Sequence, residues 1–274
     1  MYIHLALLIA LGVGVVLLTG VVVRGIELYA ASGAMSAKAK GQFLGYATSL
    51  PELVGTVGTA GKGLLGAGLW NIGASNTINL VLFTVAAVVY GRARYVVRSK
   101  FAGELGFSIV AFVIPFFISR SVVLAQSPWT ALGLFLFFVL YIVADRRLNP
   151  QPPLSVASRT QEGDDKTKAR GVGLACIGVG GIVLAGNYLG AEAKLVVEGI
   201  GVPEWGVGWI LGFITSLPEM TAFFAVFASA RKSGLDESDD TDCQENLDSL
   251  AASNMSNLGL IYPIGIGAFL LLSR

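Results

Sequence analysis

The chain has 274 residues, 54% of them hydrophobic and 14% charged, with a formal net charge of +1. A mean hydropathy of +0.70 and a charged share far below the roughly 25% of soluble domains exclude a soluble protein. They predict an all-α polytopic membrane protein. The two cysteines, Cys176 and Cys243, lack metal-ligand spacing to another Cys or His, so neither a disulfide nor a thiolate metal site is expected.

About 20 mostly apolar residues span a bilayer as a helix, and eight stretches qualify, near residues 3–23, 41–60, 64–90, 101–119, 121–143, 171–190, 204–230 and 246–272. The first is too long for a signal-peptide core and reads as a retained helix. Ser127-Pro128 falls inside the fifth and predicts a kink there. Most Lys and Arg fall in alternate loops: Arg24, Lys38 and Lys40, then Arg92 to Lys100, Arg146 to Arg170, and Arg231 with Lys232. The other side holds only Lys62, Arg120, Lys194 and Arg274. Basic loops stay cytoplasmic, so both termini are expected to face outward. Residues 145–170, with Pro150, Pro152 and Pro153, read as a cytoplasmic linker between an N-terminal membrane half, 1–144, and a C-terminal half, 171–274. Residues 231–245, with Asp236, Glu237, Asp239, Asp240, Asp242 and Glu245, read as a solvated acidic loop, and His4 as an interfacial residue.

One phrase occurs twice. Leu-Gly-aromatic-x-Thr-Ser-Leu-Pro-Glu runs from Leu44 to Glu52 and again from Leu211 to Glu219. A charged residue at membrane depth costs roughly 2.5 to 3.5 kcal/mol even on the lenient insertion scale, so two Glu at matching places require a function, and cation binding supplies one. Helical spacing puts Thr48, Ser49 and Glu52 on one face, and Thr215, Ser216 and Glu219 on another. Pro51 and Pro218 have no N–H for the carbonyls of Ala47 and Ile214, which adds a backbone oxygen to each phrase. An oxygen-only set with two negative charges suits a hard cation such as calcium. The bland alternative, a kink whose Glu pairs with a distant basic residue, has no Lys or Arg within a core span to serve it.

Each phrase is followed by a second polar helix: Asn71-Ile72-Gly73-Ala74-Ser75-Asn76-Thr77-Ile78-Asn79, and Ser249 to Asn257 with the same Ala-Ser-Asn-x-x-Asn ending. Small residues permit close helix crossing and amides bridge helices. Asn79 and Asn257 read as packing residues and Asn71 as a further ligand. Four spans separate the two phrases, so they cross in opposite directions and form an inverted repeat, whose interface is where secondary transporters bind substrate.

The two segments, residues 42–80 and 209–260, resemble the α-repeats of the sodium/calcium exchanger family within the calcium/cation antiporter superfamily. The resemblance implies a non-enzymatic antiporter working by alternating access, without a cofactor. It implies that Glu52 and Glu219 bind calcium and share their site with transported sodium, and that Thr48, Ser49, Thr215 and Ser216 are further ligands. Three departures stand out. The family has ten spans, and this chain ends after the counterpart of the eighth, so either it is a short form or a partner subunit or second copy supplies the rest. Ala47 and Ile214 replace the Gly expected before each Thr. Ser249 stands opposite Asn71, where sodium-coupled members often carry Asp, while Asp248 and Glu245 lie close by in sequence.

The expectation is a calcium antiporter of a prokaryotic inner (plasma) membrane, driven by sodium, with the lipid bilayer as its surroundings and no nucleic-acid partner. If neither Asp248 nor Glu245 reaches the site, two titrating carboxylates suffice for a calcium/proton antiporter instead. A non-transporting membrane scaffold or sensor derived from an exchanger is the alternative of another class.

Overall fold

The computed structural model describes residues 2–32, 37–148, 165–232 and 240–272. Among these the chain is helical throughout, without strands. In chain order the main helices are α1 Tyr2–Ser32, α2 Ala37–Thr48, α3 Leu50–Gly61, α4 Leu65–Val89, α5 Ala102–Ile118 and α6 Pro128–Leu148. They continue with α7 Asp165–Ile200, α8 Glu204–Thr215, α9 Leu217–Lys232, α10 Thr241–Ser256 and α11 Tyr262–Leu272, the last two joined by a π turn over Asn257–Ile261.

Among the described residues, seven helices or collinear helix pairs are long and apolar enough to cross a bilayer. The α2–α3 pair is not one of them by composition: beyond the polar phrase it shares with α8–α9, Lys38, Lys40 and Gln42 on α2 and Gly55, Thr56, Gly58 and Thr59 on α3 lower its hydropathy. It nevertheless packs inside the bundle, α2 along α10 and α3 along α7, where the sequence reading put the second of its eight spans. Several boundaries differ from the sequence reading. Ser127-Pro128 does not kink the fifth crossing; Pro128 opens it, after a separate turn over Val122–Ala125, since proline has no N–H to lose at a helix start. The sixth crossing, α7, is far longer than 171–190 and takes in residues 165–170 of the expected linker. Asp145 lies at the end of α6, and residues 149–164 of that linker fall outside the described residues. Asp236, Glu237 and Asp239 also fall outside, whereas Asp242 and Glu245 are not loop residues but ride on α10.

Glycines set the close crossings. A Cβ on Gly25 of α1 would lie 2.6 Å from the Gly171 carbonyl of α7, and one on Gly171 would lie 2.7 Å from the Gly25 carbonyl. His4, expected to be merely interfacial, ties the far end of the same pair to Glu192 at 2.9 Å. The inverted repeat is visible in the packing. On α8, a Cβ at Gly212 would meet Ala74 Cβ at 2.6 Å and Ser75 N at 3.0 Å. On α2, one at Gly45 would meet Ala252 Cβ at 2.9 Å and Ser253 N at 2.9 Å. Gly208 likewise faces Trp70 and Ala67 where Gly41 faces Asp248 and Glu245. Three apolar cores flank this arrangement among the described residues, one of them built on Phe83, Phe101, Phe223, Phe227 and Leu250. Another contains Leu69, Ile72, Phe138, Tyr141 and Tyr262, and the third Val15, Val54, Leu189 and Leu211. Leu17, Leu136 and Leu184 stay exposed on α1, α6 and α7, as lipid-facing side chains do.

Candidate functional site

Each phrase breaks its helix at the serine. Ser49 (φ −83°, ψ −1°) separates α2 from α3, and Ser216 (φ −83°, ψ 0°) separates α8 from α9. The cause is the proline two residues on, whose missing N–H and ring disfavour an unbroken ladder. Beyond each break the ladder resumes, with Leu53 N donating to Ser49 O at 3.1 Å and Met220 N donating to Ser216 O at 3.2 Å. The carbonyls of Ala47 and Ile214 have no N–H four residues on, because those positions are Pro51 and Pro218.

The two breaks meet at the centre of the bundle. Thr48, Ser49, Glu52, Asn71, Thr215, Ser216 and Glu219 are all buried. Ser75 Oγ donates to Glu52 Oε1 at 2.7 Å and lies 3.0 Å from Ser216 Oγ. In the inverted copy Ser253 Oγ donates to Glu219 Oε1 at 3.1 Å and lies 2.9 Å from Ser49 Oγ. Each carboxylate thus rests on a serine of the following polar helix and, through it, on the broken serine of the other repeat. Thr215 stands near Glu52 and Thr48 near Glu219. Asn76 Nδ2 donates to Asn254 O at 3.3 Å and Asn254 Nδ2 donates to Asn76 O at 3.4 Å, which clasps the two polar helices about the same pseudo-dyad.

Glu52 Oε2 and Glu219 Oε2 are buried without a hydrogen-bond partner, as are Asn79 Oδ1 and Asn257 Oδ1. Among the described residues no Lys, Arg or His pairs with either Glu. Two uncompensated carboxylates out of contact with water demand a cation or protons. The orphaned oxygens beside several hydroxyls are the hard donor set that such a cation takes.

Three residues singled out in the sequence lie elsewhere or act differently. Asp248 does not join the pair; its carboxylate accepts from Gln244 Nε2 at 2.6 Å and groups with Glu104 and Asp145. Glu245 forms an ion pair with Lys40 at 2.8 Å. The reason is helical rise: Asp248 precedes Ser253 by five residues on one continuous helix, roughly 7.5 Å along its axis. Asn71 has protein partners at both ends of its amide, accepting from Thr215 Oγ1 at 3.3 Å and donating to Glu52 O and to Thr56 Oγ1, each at 3.3 Å. Its counterpart Ser249 is buried with an unpartnered hydroxyl, being too short to reach across. Sequence reasoning missed Ser75 and Ser253 as contacts of the carboxylates. The signal was there, in the Ala-Ser-Asn-x-x-Asn ending shared by both polar helices.

Broken helices meeting at an inverted-repeat interface around buried carboxylates define an ion carrier of the alternating-access type. The sodium/calcium exchanger protein family matches residues 3–145, more than half of the chain, and the chain belongs to that family, among the cation antiporters. A crystal structure of the H+/Ca2+ exchanger CAX is similar with a TM-score of 0.68 and 14% identity, over 98% of this chain and 68% of that chain. A structure of the sodium-calcium exchanger NCX_Mj soaked with 100 mM Na+ and 10 mM Sr2+ has a TM-score of 0.53 and 18% identity, over 94% of this chain and 82% of that chain. At these identities the likeness is one of fold. No protein of curated function matches the chain.

Proposed function

We propose that the chain is a calcium antiporter in which Glu52 and Glu219 together hold one calcium ion or, in exchange, two protons. The observation that carries this reading is the pair of buried carboxylate oxygens without partners, Glu52 Oε2 and Glu219 Oε2. Two negative charges match one divalent cation or two protons, so either occupant leaves the centre neutral. Asp248 and Glu245, which would have added the fixed charge that sodium coupling favours, have partners elsewhere. Ser49, Ser75, Ser216 and Ser253, with the carbonyls of Ala47 and Ile214, would complete the calcium shell of six to eight oxygens.

A second reading, exchange of calcium for sodium, is favoured by the orphaned amide oxygens of Asn79 and Asn257, neutral ligands of the kind a monovalent cation takes. In both readings the broken pairs α2–α3 and α8–α9 with α4 and α10 form the site, and α1 with α7 move against it. A cavity of about 450 Å³ between α1, α2 and α9 reaches Pro218, the neighbour of Glu219, and supplies a route to one side. The bias of Lys and Arg toward the loops of that side supports a cytoplasmic opening.

The deciding experiment is calcium-45 flux in proteoliposomes of the purified chain, driven in turn by a pH gradient and by an opposed sodium gradient. Flux under the pH gradient alone supports proton coupling, and flux under sodium alone establishes the second reading. Flux under neither, from folded protein, would overturn both and leave the scaffold or sensor class.

A further inference from the structure

We propose that Glu104, Asp145 and Asp248 hold a second divalent cation of calcium size, at the end of the bundle that carries the basic loops and apart from the Glu52–Glu219 centre. The three residues arrive from different elements: the first turn of α5, the last turn of α6 and the middle of α10. One carboxylate oxygen from each lies within 4.8 Å of the others, and Glu104, Asp145 and Asp248 are 2%, 5% and 1% exposed.

The charges facing this cluster do not balance. From α2, Lys38 Nζ donates to Asp145 Oδ1 at 2.7 Å, and Gln42 Nε2 donates to Asp145 Oδ2 at 2.8 Å. From α10, the Gln244 amide bridges the other two acids, donating to Asp248 Oδ2 at 2.6 Å and to Glu104 Oε1 at 3.3 Å. The neighbouring Lys40 is paired with Glu245, and Arg146 is exposed but lines the cavity beside Asp145. Among the described residues, three carboxylates therefore face the Lys38 ammonium group, with the Arg146 guanidinium in the adjoining cavity, so negative charge is in excess. Glu104 Oε2 is buried and has no partner, which marks it as a ligand waiting for a cation rather than a closed hydrogen-bond network.

The donor set is oxygen only, which selects a hard cation. Gln42 and Gln244 add neutral oxygens on turning their amides, whose nitrogen and oxygen ends are interchangeable in shape. Calcium, with ligands at about 2.3 to 2.6 Å, tolerates oxygens up to about 5 Å apart across the ion, whereas magnesium demands about 4.2 Å or less. One oxygen from each acid lies within 4.8 Å of the others, close enough for one ion of calcium size to be shared after a small adjustment of the side chains. A cavity of about 680 Å³ lined by Lys38, Gln42, Tyr46, Tyr141, Asp145 and Arg146 gives the cluster an entry path through Asp145.

The test removes the central pair first, so its outcome does not depend on which ions are transported. Calcium is titrated into the purified full-length E52Q/E219Q double variant by equilibrium dialysis with calcium-45, and terbium luminescence sensitised by Tyr46 and Tyr141 is read on the same sample. One equivalent of calcium should remain bound. Adding Glu104→Gln or Asp248→Asn should weaken it at least tenfold and quench the terbium signal, while Lys38→Gln should tighten it severalfold, a gain that damage to the fold does not mimic. Absence of calcium binding by a double variant of wild-type thermal stability would overturn the proposal. So would residual binding that neither acid substitution changes.

Discussion

The two repeats share one backbone plan and differ in what they hang on it. Gly45 on α2 meets Ala252 and Ser253 as Gly212 on α8 meets Ala74 and Ser75, and the Ser–Glu contacts follow the same dyad. One turn further along, the likeness ends. Gly208 faces Trp70, whereas Gly41 faces Asp248; one end of the polar helix pair is aromatic and the other acidic. The centre has to be symmetric, because both orientations of the carrier must offer the ion the same ligands. The ends are free to differ, because each meets a different aqueous phase. A second asymmetry is local. Asn71 joins Thr215 to the Glu52 carbonyl, while Ser249 leaves Thr48 to bond its own helix at Leu44 O, 3.0 Å away, and α10 runs into a π turn at Asn257–Ile261 where α4 continues as an α-helix.

The most severe way to break the central symmetry is at the carboxylates. Glu52→Gln and Glu219→Gln should each abolish calcium flux in proteoliposomes while the protein stays monodisperse. Losing one charge of a buried ion pair costs roughly 3 to 5 kcal/mol, more than about 100-fold in affinity. Retention of flux in only one of them would show that the pair is not equivalent. Next come the glycines: Gly45→Ala and Gly212→Ala press a methyl group onto the facing helix and should each cost about 1 to 3 kcal/mol. A thermal melt in detergent reads this, with Gly14→Ala, which has nothing within 4 Å, as the unaffected control.

Asn71→Ser copies the second repeat into the first, and by losing its three hydrogen bonds should lower stability by about 1 to 2 kcal/mol. Ser249→Asn, the converse change, should have a smaller effect in the same melt. Smallest of all, Ser75→Ala and Ser253→Ala should each weaken calcium binding by roughly 1 kcal/mol, about fivefold. Equal losses sharpen the picture of a symmetric centre, and unequal ones would place the ion nearer one repeat.

Much of this was legible in the chain. Seven of the spans follow from hydropathy and the inverted order from the repeated phrase, and the helix breaks at Ser49 and Ser216 follow from proline chemistry. Less legible were Ser75 and Ser253: the shared Ala-Ser-Asn-x-x-Asn ending marks both, but a linear sequence does not say that they point at a Glu of the same repeat. Asp248 and Glu245 misled for the opposite reason. They lie near Ser249 in sequence, but on a continuous α10 they sit on turns that face α2, α5 and α6 instead of the dyad.

What the sequence determined by itself is local and periodic: which stretches are apolar enough to enter a bilayer, where proline interrupts them, and that two costly carboxylates occur in equivalent settings. What only the tertiary structure decided is which groups from distant helices share a volume. Glu104, Asp145 and Asp248 are far apart along the chain and belong to no motif, yet α5, α6 and α10 bring them within 4.8 Å. The physical reason is that helical periodicity fixes the face a residue occupies on its own helix. Which other helix that face meets is set by glycine-mediated crossings such as Gly41 of α2 against α10 and Gly25 against Gly171.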